Sequence, residues 1–202
     1  MAAAAAQVDG TGMTPAELRA ATGCSAQNAE RWAPHLTAAM SEFDIDTPAR
    51  QAAFLAQVAH ESGLFRWTAE IWGPTPAQMR YSGRADLGNT RPEARRFAEQ
   101  AGVVDPGRFY RGHGLIQVTG YLNHVRAGQV LGIDAAAHPE LLAEPEYAAR
   151  SAGDFWRDHG LNDLADEGAF ELITRRINGG LNGYAERCVL WDRARRALGV
   201  VP

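Results

Sequence analysis

Residues 54–70 read FLAQVAHESGLFRWTAE, and this stretch constrains the rest of the chain more than any other. It opens as a helix. Thr47 is placed to cap it, Pro48 suits its first turn, and Gly63 stops it. Phe54, Val58 and Glu61 fall at i, i+4 and i+7 on one face, with Leu55 and Ala59 alongside. The pattern is that of a core helix, and it sets Glu61 on the apolar stripe at the last turn. A carboxylate is costly there, and apolar surroundings favour the neutral acid over the anion. A carboxylic acid kept protonated is what general acid catalysis needs. Glu70 comes nine residues later, beyond the helix-ending glycine, so it faces Glu61 from a separate element. Two carboxylates on two walls of a cleft are the minimum apparatus for cleaving a glycosidic bond.

The remaining chain reads as a series of helices. Thr14-Pro15 opens one through Ala21, Ser25 to Phe43 forms a second that Pro34 kinks or breaks, and Pro92 to Gln100 is a polar helix. Tyr121 to Leu131 ends at Gly132, Pro145 to His159 is amphipathic, Glu167 to Asn178 closes with an αL cap, and Tyr184 to Leu198 is last. Between them lies an aromatic stretch, 63–73, which reads as extended and strand-like. The expected class is α+β, mainly α: a helical bundle with a small β-like wing beside a substrate cleft.

A second informative stretch is RFYRGHGLIQVTG, 108–120. Its glycines argue for close backbone approach. Gln117 and Thr119 alternate with Ile116 and Val118, which puts both polar side chains on one face of an extended segment. The spacing does not match a phosphate-binding loop. Nor does His60-Glu61-Ser62 match a zinc-protease motif, because no second histidine follows at i+4, and no metal or other cofactor is expected. Ser62 and His60 do not face each other along a helix, which excludes a serine hydrolase built on them.

The chain has 202 residues, enough for one domain of two lobes, and a net charge of −4 that offers nothing to nucleic acid or to a membrane surface. All 20 basic residues are arginine, a compositional bias with no functional content. Cys24 and Cys188 read as free thiols. The opening MAAAAAQVDGTG lacks the basic and long apolar regions of a secretory signal. Residues 1–12 are expected to be a disordered extension, and 13–202 the folded domain, acting as a monomer.

Three motifs in order carry a resemblance: FLAQVAHESGLF with Glu70, RGHGLIQVTGYLNH, and ITRRINGGLNG with Arg187. Together they resemble glycoside hydrolase family 19, which includes chitinases and the lysozyme-like endolysins of phages and prophages. LRAATGC (18–24) and FDIDTPARQAAFLAQ (43–57) resemble the endolysin branch in particular. The resemblance implies a lysozyme-like fold and an inverting mechanism. It puts Glu61 at the general acid, Glu70 at the base that activates water, and Thr119 beside the attacking water. Gln117, Asn123, Asn178 and Arg187 match sugar-binding or cleft-organising positions, with His60 and Tyr110 counted among the substrate contacts. Trp67, Trp72 and Tyr110 are further candidates for stacking on sugar faces. His113 stands where the family usually has arginine. The implied substrate is peptidoglycan, cut between N-acetylmuramic acid and N-acetylglucosamine, with chitin as the alternative and a catalytically inactive wall-binding module as a third reading. Without a signal peptide, such an enzyme is made in the host cytoplasm and reaches the wall through a holin-type pore.

Overall fold

The computed structural model describes residues 12–200, so the extension expected over 1–12 lies outside the described residues but for Gly12. Among those described, ten α-helices carry the fold: α1 (Pro15–Thr22), α2 (Ala26–Glu42), α3 (Pro48–Glu61), α4 (Pro92–Gln100), α5 (Pro106–Phe109), α6 (Tyr121–Leu131), α7 (Pro145–Asp158), α8 (Leu161–Asp166), α9 (Phe170–Asn178) and α10 (Tyr184–Ala197). Short 3-10 turns occupy Gln78–Gly83 and Pro139–Ala143.

The helix starts follow local chemistry. Thr14 and Glu17 form a reciprocal capping box on α1, Ser25 caps α2 by accepting from the Asn28 amide, and Thr47 caps α3 by accepting from Arg50. α2 runs on through Pro34 rather than breaking there. α3 is buried on every side, not on one stripe, because each residue from Ala52 to Ala59 is enclosed. α1, α8 and α10 pack around it. Phe54 meets Trp156 of α7 edge to face, ring centroids 5.4 Å apart.

α2 and α7 lie side by side, and at Gly153 the Phe43 ring occupies the space a Cβ would need. A second, smaller core of Ala94, Ala98, Phe109, Tyr110 and Tyr121 sits under α4, α5 and α6. The buried residues thus form a large cluster around α3, a smaller one around Tyr110 and a third of Ala127, Leu131, Ala135 and Leu142. Both cysteines are free thiols.

Two expectations change. Residues 161–166 form α8, and α9 begins at Phe170 rather than Glu167 because Gly168 takes a left-handed φ of 69°. The aromatic stretch after Gly63 does not form a strand. Gly63, Leu64 and Phe65 take φ of 58°, 61° and 64°, a left-handed turn that reverses the chain directly after α3. The only β pairing among the described residues is two isolated bridges, Ala69 with His113 and His113 with Val118.

Candidate active site

Glu61 is the last residue of α3, and its carboxylate is not surrounded by apolar groups as its position on the helix implied. Arg187 Nη2 of α10 lies 2.5 Å from Oε1, with the arginine side chain 3% exposed and the glutamate 22%. The apolar stripe is interrupted because α10 crosses α3 here and delivers a guanidinium. Arg187 also donates Nη1 to Gln57 Oε1 at 2.5 Å and Nε to the Asn182 carbonyl at 3.3 Å. Gln57, wholly buried one turn before Glu61, in turn donates to Thr174 Oγ1 of α9 at 2.8 Å. This fork fixes the Glu61 side chain from three helices.

Asn178, at the C-terminus of α9, joins the same network by donating Nδ2 to the Asn182 carbonyl at 2.9 Å. Its own Oδ1 is buried with no hydrogen-bond partner.

Glu70 lies beyond the left-handed turn that follows α3. Its backbone N–H donates to Gly112 O at 2.7 Å, and Gly112 N–H returns to Glu70 Oε2 at 3.1 Å. Gln78 Nε2 donates to Oε1 at 2.9 Å and the Tyr81 hydroxyl at 3.4 Å, from the 3-10 turn Gln78–Gly83. Burial, with the negative Glu70 beside it, raises the Tyr81 phenol above its usual range, so it stays a donor. The Glu70 carboxylate thus takes neutral N–H and O–H donors, with Arg111 Nε on its backbone carbonyl at 3.1 Å, whereas the Glu61 carboxylate is paired directly with a cation.

Gln117 and Thr119 do not alternate along an extended strand. His113 and Val118 close a tight turn by exchanging backbone hydrogen bonds of 3.0 and 2.8 Å, and Gln117 takes a left-handed φ of 56°. Gln117 Nε2 then folds back on Gly114 O at 2.9 Å, and its side chain lies over Gly112, where a Cβ would come within 2.6 Å of Oε1. That contact is why Gly112 is a glycine. Thr119 Oγ1 donates to Gln117 O at 3.0 Å, and Asn123 Nδ2 donates to Thr119 O at 2.7 Å. Gln117, Thr119 and Asn123 line one hollow, and Ile177, next to Asn178, closes its far side.

Two expected substrate contacts sit elsewhere. Tyr110 is fully buried, with its hydroxyl donating to Ala136 O at 2.6 Å and its ring against Phe109, Tyr121 and His124, so it is a core residue and not a sugar platform. His60 closes over Gly183 at the start of α10, a glycine that must bring its backbone close to the imidazole. It lines a separate hollow with Leu64, Glu186 and Val189, and burial followed by the Arg187 charge lowers its pKa. Trp67 is 53% exposed beside Gly63, and Trp72 is half-buried against Tyr81 at 6.0 Å.

His113 and His124 form a buried pair. His124 donates Nδ1–H to Gly120 O at 2.8 Å, which leaves Nε2 to accept from His113 Nδ1 at 3.0 Å. Burial lowers both, to about 3 for His113 and about 4 for His124. Neutral histidine fills this place as a packed hydrogen-bonding spacer behind the Gly112–Thr119 turn.

No protein-family profile matches the chain. It is 35% identical over 158 residues to a glycosyl hydrolase family 19 domain-containing protein of Haemophilus influenzae, covering 70% of this chain and 76% of that one. It is 32% identical over 165 residues to an endochitinase of Arabidopsis thaliana, covering 75% of this chain and 48% of the relative, so it spans about half of that plant protein. Among solved structures, chitinase C of Streptomyces griseus superposes with a TM-score of 0.71 over 98% of this chain and 81% of its own, at 21% identity. A bacterial family 19 chitinase gives 0.71 over 93% and 95%, at 23% identity. The fold is thus the mainly helical, lysozyme-like fold of these glycosidases. The chain belongs to glycoside hydrolase family 19.

Proposed function

We propose that this protein cuts the β-1,4 bonds of peptidoglycan glycan strands, between N-acetylmuramic acid and N-acetylglucosamine, with inversion at the anomeric carbon. The observation that supports the chemistry is a pair of carboxylates each fixed by its own donors, Glu61 by Arg187 and Glu70 by Gln78, Tyr81 and the Gly112 amide, with Arg111 on the Glu70 carbonyl. Protonated Glu61 gives its proton to the glycosidic oxygen. Protonation removes the charge from the contact with Arg187, which keeps Gln57 and Asn182 as partners meanwhile. Ionised Glu70, with Thr119, directs a water to the opposite face of the sugar. An inverting pair needs the two carboxyl groups roughly 6.5–9.5 Å apart to hold that water. Gln117 and Asn123, which line the hollow, offer amides to sugar hydroxyls.

The polymer is inferred from residues 18–24 and 43–57, which resemble the endolysin branch and build α1 and the entry to α3. A holin-type pore would then carry the enzyme to the wall. The Arabidopsis relative, an endochitinase, favours a second reading, the same cleavage on chitin. Purified sacculi and colloidal chitin, incubated in parallel and assayed for new reducing ends, separate the two. Release from sacculi and not from chitin is expected. The reverse pattern establishes the chitinase, and tight wall binding with no reducing ends from either polymer establishes an inactive binding module.

A further inference from the structure

The hollow lined by Gln117, Thr119 and Asn123 extends past the sugar-facing residues to the groove between α6 and α7, with a volume of about 420 Å³. Its far wall is ionic. Arg126 of α6 lies across the groove with Nη1 2.9 Å from Asp154 Oδ2 and Nη2 3.0 Å from Asp158 Oδ1. The Asp154 side chain is 7% exposed and anchors the guanidinium, whereas Arg126 and Asp158 are 44% and 50% exposed. His159 stacks on Phe155 at 3.8 Å beside them. Both rings line the same hollow.

Sugar hydroxyls can hydrogen-bond half-exposed ions, but only a charged substituent forms an ion pair with them. Peptidoglycan differs from chitin at one chemical point. Every second sugar carries a lactyl ether, and from it a short peptide with free carboxylates and, in many walls, an amine. We propose that Arg126 and Asp158 form a stem-peptide subsite at this end of the glycan cleft, and so determine which polymer the enzyme prefers. The proposal rests on the peptidoglycan reading above. Arg126 receives a peptide carboxylate on the guanidinium edge that two aspartates hold in place, because a guanidinium has five donors in a fixed fork. Asp158, the wetter of its two partners, receives the amine.

The test uses the full chain and soluble uncrosslinked glycan strands, assayed with stem peptides intact and after an amidase has removed them. The readout is the ratio of kcat/KM on the two substrates. Wild type should favour peptide-bearing strands by about tenfold, the size of one charge-assisted hydrogen bond. In Arg126→Gln and Asp158→Asn that ratio should fall towards one, chiefly through KM. If Arg126 only ties α6 to α7, both rates drop together and the ratio stands, which overturns the subsite. A wild-type ratio of one overturns it too while leaving the muramidase reading intact. Failure of wild type to cut either strand removes both.

Discussion

Arg187 is the residue on which the acid side of the site turns. Removing it leaves the Glu61 carboxylate and the buried Gln57 oxygen without their donors. Breaking a buried pair from one side costs about 3–5 kcal/mol. Arg187→Ala should therefore lower Tm by many degrees and abolish turnover, and Arg187→Lys, which keeps charge but loses the fork, should recover stability more than rate. Glu61→Gln is the complementary change. It keeps an oxygen for Arg187 but has no proton to give, so turnover should drop by about 10²–10⁴ with Tm close to wild type. A Glu61→Gln enzyme that stays active, or whose loss tracks unfolding, removes Glu61 from the chemistry. At this scale the sequence was only partly legible. Gln57 left a signal, a polar residue one turn before Glu61 inside an apolar run, which was not read as a partner. Gln78 left none, since it reaches Glu70 only through the 3-10 turn. Tyr110 misled because an aromatic residue before a glycine-rich loop reads alike whether it faces core or cleft. Arg187 was placed by motif, but its grip on Glu61 depends on how α10 crosses α3, which no local pattern contains.

Among the elements, the helices were easiest to foresee, because their caps and stops are written locally: Thr47 and Pro48 start α3, and Gly132 ends α6 with φ of 72°. The 63–73 stretch was misread because β-prone aromatics outvoted the turn chemistry. Leu64 and Phe65 sit left-handed, at roughly 1–2 kcal/mol each, and the burial of Phe65 against Trp32 at 5.9 Å offsets this. Ser62 helps hold the turn, accepting from the Phe65 amide at 2.9 Å. Such strain beside Glu61 fits the habit of storing it at functional sites. The contact between α2 and α7 supplies a sharper prediction. Gly153→Ala gains helix propensity worth about 1 kcal/mol but drives a methyl into Phe43. Overpacking of that kind costs about 1–3 kcal/mol, so thermal denaturation should show net destabilisation. A raised Tm would mean that the two helices separate easily.

Across the whole molecule, one buried pair ties stability to pH. The buried His113–His124 pair stays neutral in the folded state down to about 3 and about 4, while an unfolded histidine takes up a proton near 6.5. The unfolded state therefore binds more protons between those values, and stability is complete above about pH 6.5 and lost as pH falls towards 4. The slope is about 1.4 kcal/mol per pH unit for each group. A double His113→Gln, His124→Gln variant should begin less stable at pH 7.5 yet lose less Tm between pH 6.5 and 4.5. Equal losses in both proteins would assign the acid sensitivity to carboxylates elsewhere. Glu70 is tied to Gly112 beside the Gln117–Thr119 turn and Glu61 to α10, so the attack on the sugar depends on how these two parts meet. The most direct test of this division of labour is proton NMR of the first sugar released from a defined oligosaccharide. Acid and base working from opposite faces predict the α anomer at the new reducing end before mutarotation. A β anomer in the earliest spectra would contradict the account, because retention requires an intermediate, formed by a carboxylate or by the sugar's own acetamido group, in place of direct attack by water.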